Sequence, residues 1–381
     1  MIILVTIIFF IFPILSIPFC IIGIFFDKNN RFKYCILLTV CLSIISYYMV
    51  PDTTDDLYRN QLQTQVYKDY DIHTILFDNT EQIRILIQLL FGKIGNVDLL
   101  QAIGVFIHYI LIFYILCDCQ KKYELKMSYF VIIFLFTILS FILVNIAGNL
   151  WNPIAISVFA FVVYLEYCKG KNKILCNILE ILTILIHSSM IFPIIIKIIF
   201  EVSKCKINKI AVISVVLVLF FIEVIFNFLT RFSNIPIISE ILSFYNTYFL
   251  NSEGWGYLHT TTLLLTYFTR IIPFLLIYIL LYKKRDYISD FTFLTTISTI
   301  VLFFNTTFAI RFIPLIQLLG IPIIFDFLKN SKKKTNRYII LFYMFGIIFG
   351  YIYYQYIKTM DYSFGTFEEK MFSNIYSIFI K

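Results

Sequence analysis

Acidic, phenolic and cationic side chains cluster in one short segment of the sequence, residues 51–59. These side chains are Asp52, Asp55, Asp56, Tyr58 and Arg59. Paired carboxylates can act as a general base or orient an acceptor hydroxyl. They can equally stabilise a helix, with the first aspartate as its cap and the later two complementing the helix dipole. Both interpretations stay open at this stage.

Two arginines lie inside or at the edge of apolar runs, Arg270 in Thr266–Ile272 and Arg311 in Phe308–Pro314. An unpaired guanidinium in the bilayer core costs at least ~2.5 kcal/mol on insertion scales. Snorkelling of the side chain to the membrane surface is the structural explanation. Binding of an anion held at the membrane surface is the functional one.

His187 precedes two serines in an otherwise apolar stretch. Histidine exchanges protons near neutral pH, so His187 is a candidate base, and a satisfied buried histidine is the structural alternative. Glu180 lies seven residues earlier, on the same helix face, and Glu223 lies four residues before Asn227. Buried carboxylates of this kind suggest a proton relay, which would favour a transporter.

The composition of the chain shows that these residues must be positioned by membrane-embedded elements. Of 381 residues, 60% are hydrophobic and 14% are charged, and the mean hydropathy is +0.87. Soluble domains are about 45–50% apolar and about 25% charged. A water-soluble core could not absorb this excess of apolar residues, so the chain is predicted to lie in a membrane.

Apolar runs long enough to cross ~30 Å of hydrocarbon as helices recur along the chain. They include Ile2–Phe26, Met127–Ile146, Ala211–Leu229, Tyr267–Tyr282 with its flanks, and Tyr338–Ile357. We therefore predict an all-α fold, a polytopic transmembrane helical bundle of about 11 or 12 spans. The bundle is expected to form a single membrane domain over residues 1–381.

Short basic clusters between the apolar runs account for the net charge of +8 and argue against a nucleic-acid partner. Lys and Arg are enriched in short cytoplasmic loops. Placing all of the clusters inside leaves the loops 51–96 and 231–260 outside, with the turns 147–152 and 305–307 and the tail after Lys358. The clusters are Lys28, Arg31 and Lys33; Lys121, Lys122 and Lys126; Lys169, Lys171 and Lys173; Lys204, Lys206 and Lys209; Lys283, Lys284 and Arg285; and Lys332, Lys333, Lys334 and Arg337.

This topology requires an unusual turn between Lys173 and Lys204, which are both predicted to face the cytoplasm. The chain must enter the membrane and return over residues 174–203, around His187. We predict either a pair of short helices or a re-entrant hairpin, which is tolerated where protein covers the backbone.

The outer loop 51–96 ends in an amphipathic segment, Ile83–Ile94, that contains Arg84. Its apolar residues are spaced along one face of a helix. The segment is too short to span, so we expect a helix that lies in the outer interface.

Metal and cofactor sites are not expected. The eight cysteines avoid the outer loops, and Cys117-Asp-Cys119 lacks the spacing of a zinc site. The chain also lacks a phosphate-cradling glycine loop and a soluble α/β unit that could hold a nucleotide.

Two sequence elements resemble the EpsG-like and Wzy-like polysaccharide polymerases of bacterial membranes. The first is Asp56-Leu-Tyr-Arg59, which follows a span and resembles an Asp-Leu-Tyr-Arg element in the outer loop of that family. The second is Ile94–Ile103, which begins a span that continues through Phe106–Tyr109. It resembles the segment that follows the outer loop in that family.

A third and longer match follows in the same order as in the family. Trp151-Asn-Pro-Ile-Ala155, Tyr164-Leu-Glu-Tyr167 and Ile184-Leu-Ile-His-Ser-Ser189 resemble the family's Arg-Asn-x-Leu-Ala, Tyr-Leu-Glu and His-Ser-Ser series. Trp151 stands where the family pattern has an arginine, so an anion-binding role does not transfer directly, and Trp151 could stack on a sugar instead. Arg311 resembles a late arginine of the family.

The resemblance implies an enzyme that joins oligosaccharide repeat units carried on undecaprenyl diphosphate. The reaction would occur at the outer leaflet of a bacterial cytoplasmic membrane and yield capsule, exopolysaccharide or O-antigen. The lipid-linked oligosaccharide and membrane lipid would be its partners, together with a chain-length regulator and a flippase of the same pathway. The candidate catalytic residues are Asp55, Asp56 and His187, and the candidate substrate-binding residues are Tyr58, Arg59, Arg84, Trp151, Asn152, Arg270 and Arg311.

The chemistry of these residues fits such a reaction. A lipid diphosphate is an anionic leaving group held at the membrane surface, and the rigid fork of arginine matches it better than lysine does. Arg59, Arg84 and Arg311 are placed to supply that charge. Two other classes stay open: a lipid-linked oligosaccharide flippase or transporter, and a membrane glycosyltransferase that adds one sugar from a polyprenyl-phosphate donor.

The predicted topology can be tested by thiol labelling. In a background without the native cysteines, Thr54→Cys and Asn251→Cys should react with an impermeant thiol reagent on intact cells, after any outer membrane is breached. Protection of both positions until the cytoplasmic membrane is opened would reverse the orientation.

Overall fold

The computed structural model describes residues 1–51, 53, 55–70, 81–203, 227–234, 238–239, 242, 260–280, 286–301 and 306–360, with the backbone alone at 260–269, 306–310, 351 and 353–360. These residues are predominantly helical, and none of them forms a β-strand. The predicted all-α helical bundle is therefore confirmed.

The α-helices of the described part of the chain are numbered here in chain order. They are α1 Ile2–Ile11, α2 Ile17–Phe26, α3 Arg31–Tyr47, α4 Asp56–Tyr67, α5 Gln82–Ile94, α6 Leu99–Tyr123, α7 Met127–Ser140, α8 Leu143–Gly148, α9 Trp151–Lys169, α10 Lys173–Leu182, α11 Ile191–Val202, α12 Thr260–Leu280, α13 Tyr287–Val301, α14 Thr306–Asn330 and α15 Lys334–Met360.

Three of these helices are long and apolar enough to cross a membrane by themselves: α6, α9 and the Arg311–Asn330 part of α14. Shorter apolar helices accompany them, including α1, α7 and the Arg270–Leu280 part of α12. The predicted run Ala211–Leu229 lies mostly outside the described residues. The count of about 11 or 12 spans therefore stays a prediction.

The first predicted span, Ile2–Phe26, is not one continuous helix. It divides into α1 and α2, which are joined by a 3-10 turn at Ile14–Ser16. Pro13 has no backbone N–H and forces the preceding Phe12 out of helical geometry, to φ −138° and ψ 82°. The prediction of a single helix here was wrong because it ignored this proline.

A second predicted span, Met127–Ile146, is broken after Ser140. The carbonyl of Phe141 accepts a 2.6 Å hydrogen bond from the Tyr109 hydroxyl on α6. Tyr109, which is distant in sequence, thus satisfies the Phe141 carbonyl at the break. Helix α8 begins two residues later.

The chain forms two compact units, each described here by itself. The first unit comprises residues 1–70, 86–157 and 348–381. In it α3 packs along α6 and against α2. Gly23 on α2 faces the ring of Tyr34, where a Cβ atom would collide with the ring. Phe113 and Phe134 stack at 5.7 Å between centroids within its buried core.

The second unit comprises residues 71–85 and 158–347. Helices α12, α13 and α14 pack against one another, and α11 packs on α13. Buried hydroxyls along α13 each donate to the carbonyl four residues earlier, so the burial of these polar groups is compensated. These residues are Thr292, Thr295, Thr296, Ser298 and Thr299.

The segment 174–203 folds as two short helices, α10 and α11, joined by a turn and the 3-10 helix Ser188–Met190. The two α-helices have 10 and 12 residues. At 1.5 Å per residue they rise about 15 and 18 Å, less than the ~30 Å hydrocarbon thickness. Neither helix alone could cross a bilayer, and His187 lies at the turn between them.

The amphipathic segment of the outer loop forms α5. Large apolar side chains at every fourth position, Leu86, Leu90 and Ile94, are exposed. Leu89 and Phe91, on either side of this stripe, are buried. An exposed apolar stripe suits a helix that lies in the membrane interface, which stays a prediction.

Candidate functional site

Glu81, in the second unit, is the centre of a cluster of polar side chains. One carboxylate oxygen accepts hydrogen bonds from the backbone N–H of Ser188 at 2.9 Å and from its hydroxyl at 3.1 Å. The other oxygen pairs with Nη1 of Arg84 at 2.5 Å. Nδ1 of His187 lies 3.9 Å from the first oxygen. A carboxylate, an imidazole and a guanidinium thus meet at one place.

The backbone fixes this cluster as firmly as the side chains do. The N–H groups of Ile83 and Arg84, in the first turn of α5, both donate to the carbonyl of Leu185, at 3.0 and 3.3 Å. Helix N-termini leave such donors unsatisfied, and here the turn before His187 supplies the acceptor. The start of α5 and the α10–α11 turn therefore hold each other in register.

The hydrogen bonding of His187 assigns its ring proton. Nδ1 accepts a hydrogen bond from the N–H of Ser189 at 3.2 Å, which places the proton of the neutral ring on Nε2. On protonation, Nδ1–H would become a donor, and Glu81 is the adjacent acceptor. Side-chain exposures of 15% for His187 and 10% for Glu81 leave both groups nearly enclosed.

The surroundings keep Glu81 ionised. Burial acts to raise the pKa of the Glu81 carboxyl, but the charges of His187 and Arg84 and the N–H of Ser188 outweigh burial, so the pKa is lowered. An ionised carboxylate beside an imidazole stabilises the imidazolium form. The carboxylate of Glu81 is thus placed beside the imidazole of His187, with 3.9 Å between the two groups.

Arg311 lies towards the same end of α11 as His187. The ring of Phe312 contacts Phe192, the second residue of α11, with centroids 6.3 Å apart. Arg311 and Arg270 are both partly buried, and their helices α14 and α12 pack together. The second unit thus contains four of the predicted residues: His187, Arg84, Arg311 and Arg270.

The other predicted residues belong to the first unit, at the start of α4 and α9. Helix α4 begins at Asp56 with Asp55 as its N-cap, whereas Asp52 lies outside the described residues. Arg59 pairs with Asp56 one turn away, and its side chain is 60% exposed. Exposed ion pairs contribute about 0–1 kcal/mol, so Arg59 can exchange this partner for a stronger anion. Tyr58 is partly buried.

Trp151 is buried, with 4% of its surface exposed. Its indole N–H donates to the Asn60 side-chain oxygen at 3.0 Å, which ties the start of α9 to α4. This environment covers the ring, so stacking on a sugar would require it to move. A role in positioning α4 suits the observed contact better. Neighbouring Asn152 is partly exposed.

Buried amides hold α4 in place beneath Asp56 and Arg59. The Gln61 side-chain amide donates to Gln101 on α6 at 2.8 Å. Gln101 in turn donates to the carbonyls of Ser46 at 2.6 Å and Met49 at 2.9 Å, where α3 ends. Each amide has a partner, which is the condition for a buried polar network to rigidify a structure.

Glu180, which suggested a proton relay from the sequence, belongs to a buried ion cluster centred on Lys197. Lys197 Nζ lies 2.5 Å from carboxylate oxygens of both Glu180 and Glu166, and 3.5 Å from Glu201. These contacts explain the burial of Glu180 by ion pairing alone. Glu223 lies outside the described residues.

Sequence reasoning missed Glu81. The available signal was its position: an acidic residue at the start of an amphipathic helix, one turn before Arg84. Helical neighbours three apart face each other. Among the residues that the structure describes, no group of three or more His, Cys, Asp or Glu residues could hold a metal ion.

Comparison with known proteins identifies a family. A family model described as the EpsG family matches residues 52–368, which include all of the predicted site residues. No curated protein and no solved structure matches the chain.

Proposed function

This chain belongs to the EpsG family, and from that membership we propose that it joins lipid-linked oligosaccharide repeat units into a surface polysaccharide. Family membership supports a polysaccharide-polymerase type of function in general. The specific proposal is a membrane glycosyltransferase at the outer face of a bacterial cytoplasmic membrane, with undecaprenyl-diphosphate-linked oligosaccharide as its substrate. The observation that carries it is the Glu81–Arg84–His187 cluster.

Glycosyl transfer forms a bond from an acceptor hydroxyl oxygen to the anomeric carbon and breaks the bond from that carbon to the diphosphate. The hydroxyl proton needs an acceptor as positive character develops on the sugar. We assign this role to His187. The step requires the other neutral tautomer, in which Nδ1–H donates to Glu81 instead of Nδ1 accepting from Ser189. Nε2 is then free to accept the proton, and the ionised carboxylate would stabilise the resulting imidazolium.

The departing lipid diphosphate carries negative charge that must be neutralised near the membrane surface. Arg59, Arg84 and Arg311 are each a candidate for this role, since a guanidinium can make two parallel hydrogen bonds to phosphate oxygens. Arg84 is held by Glu81. Asp55 and Asp56 are the alternative bases.

The function is tested by deleting the gene and sizing the cell-surface glycan. Loss of long chains with retention of a single repeat unit would support the polymerase. Loss of the repeat unit itself from the surface would indicate a flippase. A repeat unit that lacks one sugar would indicate a single-sugar transferase.

Replacing Arg59 tests the anion-binding assignment. Arg59→Ala should lower the polymerisation rate about tenfold to a hundredfold, the equivalent of one charge-assisted hydrogen-bonding interaction of about 1.5–3 kcal/mol. The side chain is exposed, so protein abundance should not change. Lys68→Ala, which removes an exposed cation just after the same helix, is the matched control. Equal effects of the two variants on ladder formation would contradict a specific role.

Polymerisation should require neither a metal ion nor a nucleotide sugar, because the lipid diphosphate is already an activated donor that arginines can neutralise. Purified protein in lipid, given only the lipid-linked repeat unit and excess chelator, should make ladders of increasing length. Polymer that appears only after magnesium or manganese is restored would show that the acidic loop, Asp52, Asp55 and Asp56, holds a metal.

A further inference from the structure

The first unit contains a cavity of about 850 Å³ at the end of α3 opposite to Asp55 and Asp56. It is formed where α3 and α7 begin and where α6 ends. Its lining includes Lys28, Arg31, Lys121 and Lys126, together with Asp118 and Glu124. The four cations exceed the two carboxylates, so the cavity has a positive balance. It falls among basic clusters that the sequence pattern places on the cytoplasmic side.

Arg31 distinguishes this cavity from an ordinary basic loop. Loop cations are normally solvated, whereas Arg31 has only 7% of its surface exposed. Its Nε donates to the Ile24 carbonyl at 2.7 Å, and its guanidinium lies 4.8 Å from the centroid of the Phe130 ring. Within the described part of the chain, its Nη2 has no hydrogen-bond partner. A buried guanidinium with an unused donor is energetically unfavourable without a ligand.

The two helix N-termini at the cavity carry the wrong charge for their dipoles. Helix α3 begins at Arg31, and α7 has Lys126 as its N-cap. Neither first turn contains an acidic residue, and neither helix has a side-chain cap bond from its N-cap. The carboxylate of Asp27 accepts from the N–H of Asn30, the N-cap of α3, at 3.3 Å, and Asp27 does not line the cavity. Cations at a positive helix end are unfavourable, and an anion there would relieve the repulsion and accept from the unsatisfied N–H groups.

The geometry points to a binding site for a phosphate-bearing ligand in this cavity, held by Arg31, Lys28, Lys121 and Lys126. The volume falls within the range of ligand pockets, about 300–1,000 Å³, and exceeds what one phosphate group would fill. Phe32 and Tyr114, whose rings meet edge to face at 5.8 Å, add an aromatic wall. The ligand is either a soluble phosphorylated compound or the headgroup of an anionic lipid. The site is independent of the proposed polymerase chemistry.

Binding of a soluble phosphorylated compound is tested with radiolabelled pyrophosphate and the full chain in nanodiscs of phosphatidylcholine. We expect saturable binding of one pyrophosphate per chain. The variant Lys121→Gln/Lys126→Gln should weaken it at least tenfold. The matched control Lys33→Gln/Lys122→Gln removes the same charge from α3 and α6, at residues that do not line the cavity, and it should change binding less than threefold.

Binding of an anionic lipid headgroup is tested with nanodiscs that contain a trace of labelled phosphatidic acid. Retention of one labelled lipid per purified chain, lost in Lys121→Gln/Lys126→Gln and kept in the control, would support the site and identify a lipid headgroup. Absence of both pyrophosphate and phosphatidic acid binding would overturn the proposal. Equal weakening by both variant pairs would also overturn it, since that would reflect net charge alone.

Discussion

Replacing His187 with alanine is expected to abolish long-chain polymer while the protein stays at wild-type abundance in the membrane. General acid–base catalysis contributes about 10²- to 10⁴-fold to a rate. Loss of the imidazole should therefore reduce chain extension by that factor. The side chain lies at the turn between α10 and α11, where it contacts Glu81 and Ser189, and we expect its removal to leave the packing of the two helices intact. Gel sizing of the glycan, with immunoblotting of the protein, measures both quantities.

Glu81→Gln separates a catalytic cluster from a structural one. The amide keeps the shape of the carboxylate and removes its charge, so His187 becomes harder to protonate. The acid limb of the pH–rate profile should move to lower pH, and the maximal rate should fall. A purely structural role of Glu81 would lower abundance without moving the limb.

The variants Asp55→Asn and Asp56→Asn should be compared with His187→Ala, because Asp55 and Asp56 are the alternative bases. If either variant abolishes polymer while His187→Ala retains it, the proton acceptor lies in the outer loop and the assignment to His187 is wrong.

The sequence was sufficient for the parts of the fold that depend on local pattern. Composition predicted a helical membrane bundle, and periodicity predicted α5 because its apolar residues repeat within the segment itself. The break at Pro13 could also have been predicted, because proline acts on its immediate neighbour, but the prediction of a single helix ignored it. The break after Ser140 was not, because Tyr109 reaches the Phe141 carbonyl from another helix.

The candidate site shows the same division between local and distant information. Arg84 and His187 could be singled out because each is a polar residue in an apolar setting. Glu81 was missed because its partner Ser188 lies 107 residues away, a separation that no spacing rule detects. Trp151 was recognised as a departure from the family pattern, but its burial against Asn60 emerges only from tertiary packing.

Lys197, a lysine within an isoleucine-rich run that the sequence analysis did not single out, offers the second large effect. Its side chain is 4% exposed and pairs with Glu166 and Glu180. Lys197→Met should leave these carboxylates buried without their cation. Removing one partner of a buried ion pair destabilises a protein by about 3–5 kcal/mol. Most of the folded protein should therefore be lost, as measured by membrane abundance and by the monodisperse fraction in detergent.

A variant that removes the charges of this cluster together shows whether the cluster serves stability alone or also function. Lys197→Met combined with Glu166→Gln and Glu180→Gln removes the cation and both close carboxylates, so folding should recover, because buried ion clusters can often be replaced by neutral groups of similar volume. Lys173→Met, which removes an exposed partner of Glu201, is the control and should leave abundance unchanged. If the triple variant folds and still polymerises, the cluster is a structural element of the second unit. If it folds but makes no polymer, at least one of the three replaced residues takes part in function, and the interpretation of Glu180 as part of a proton relay gains support.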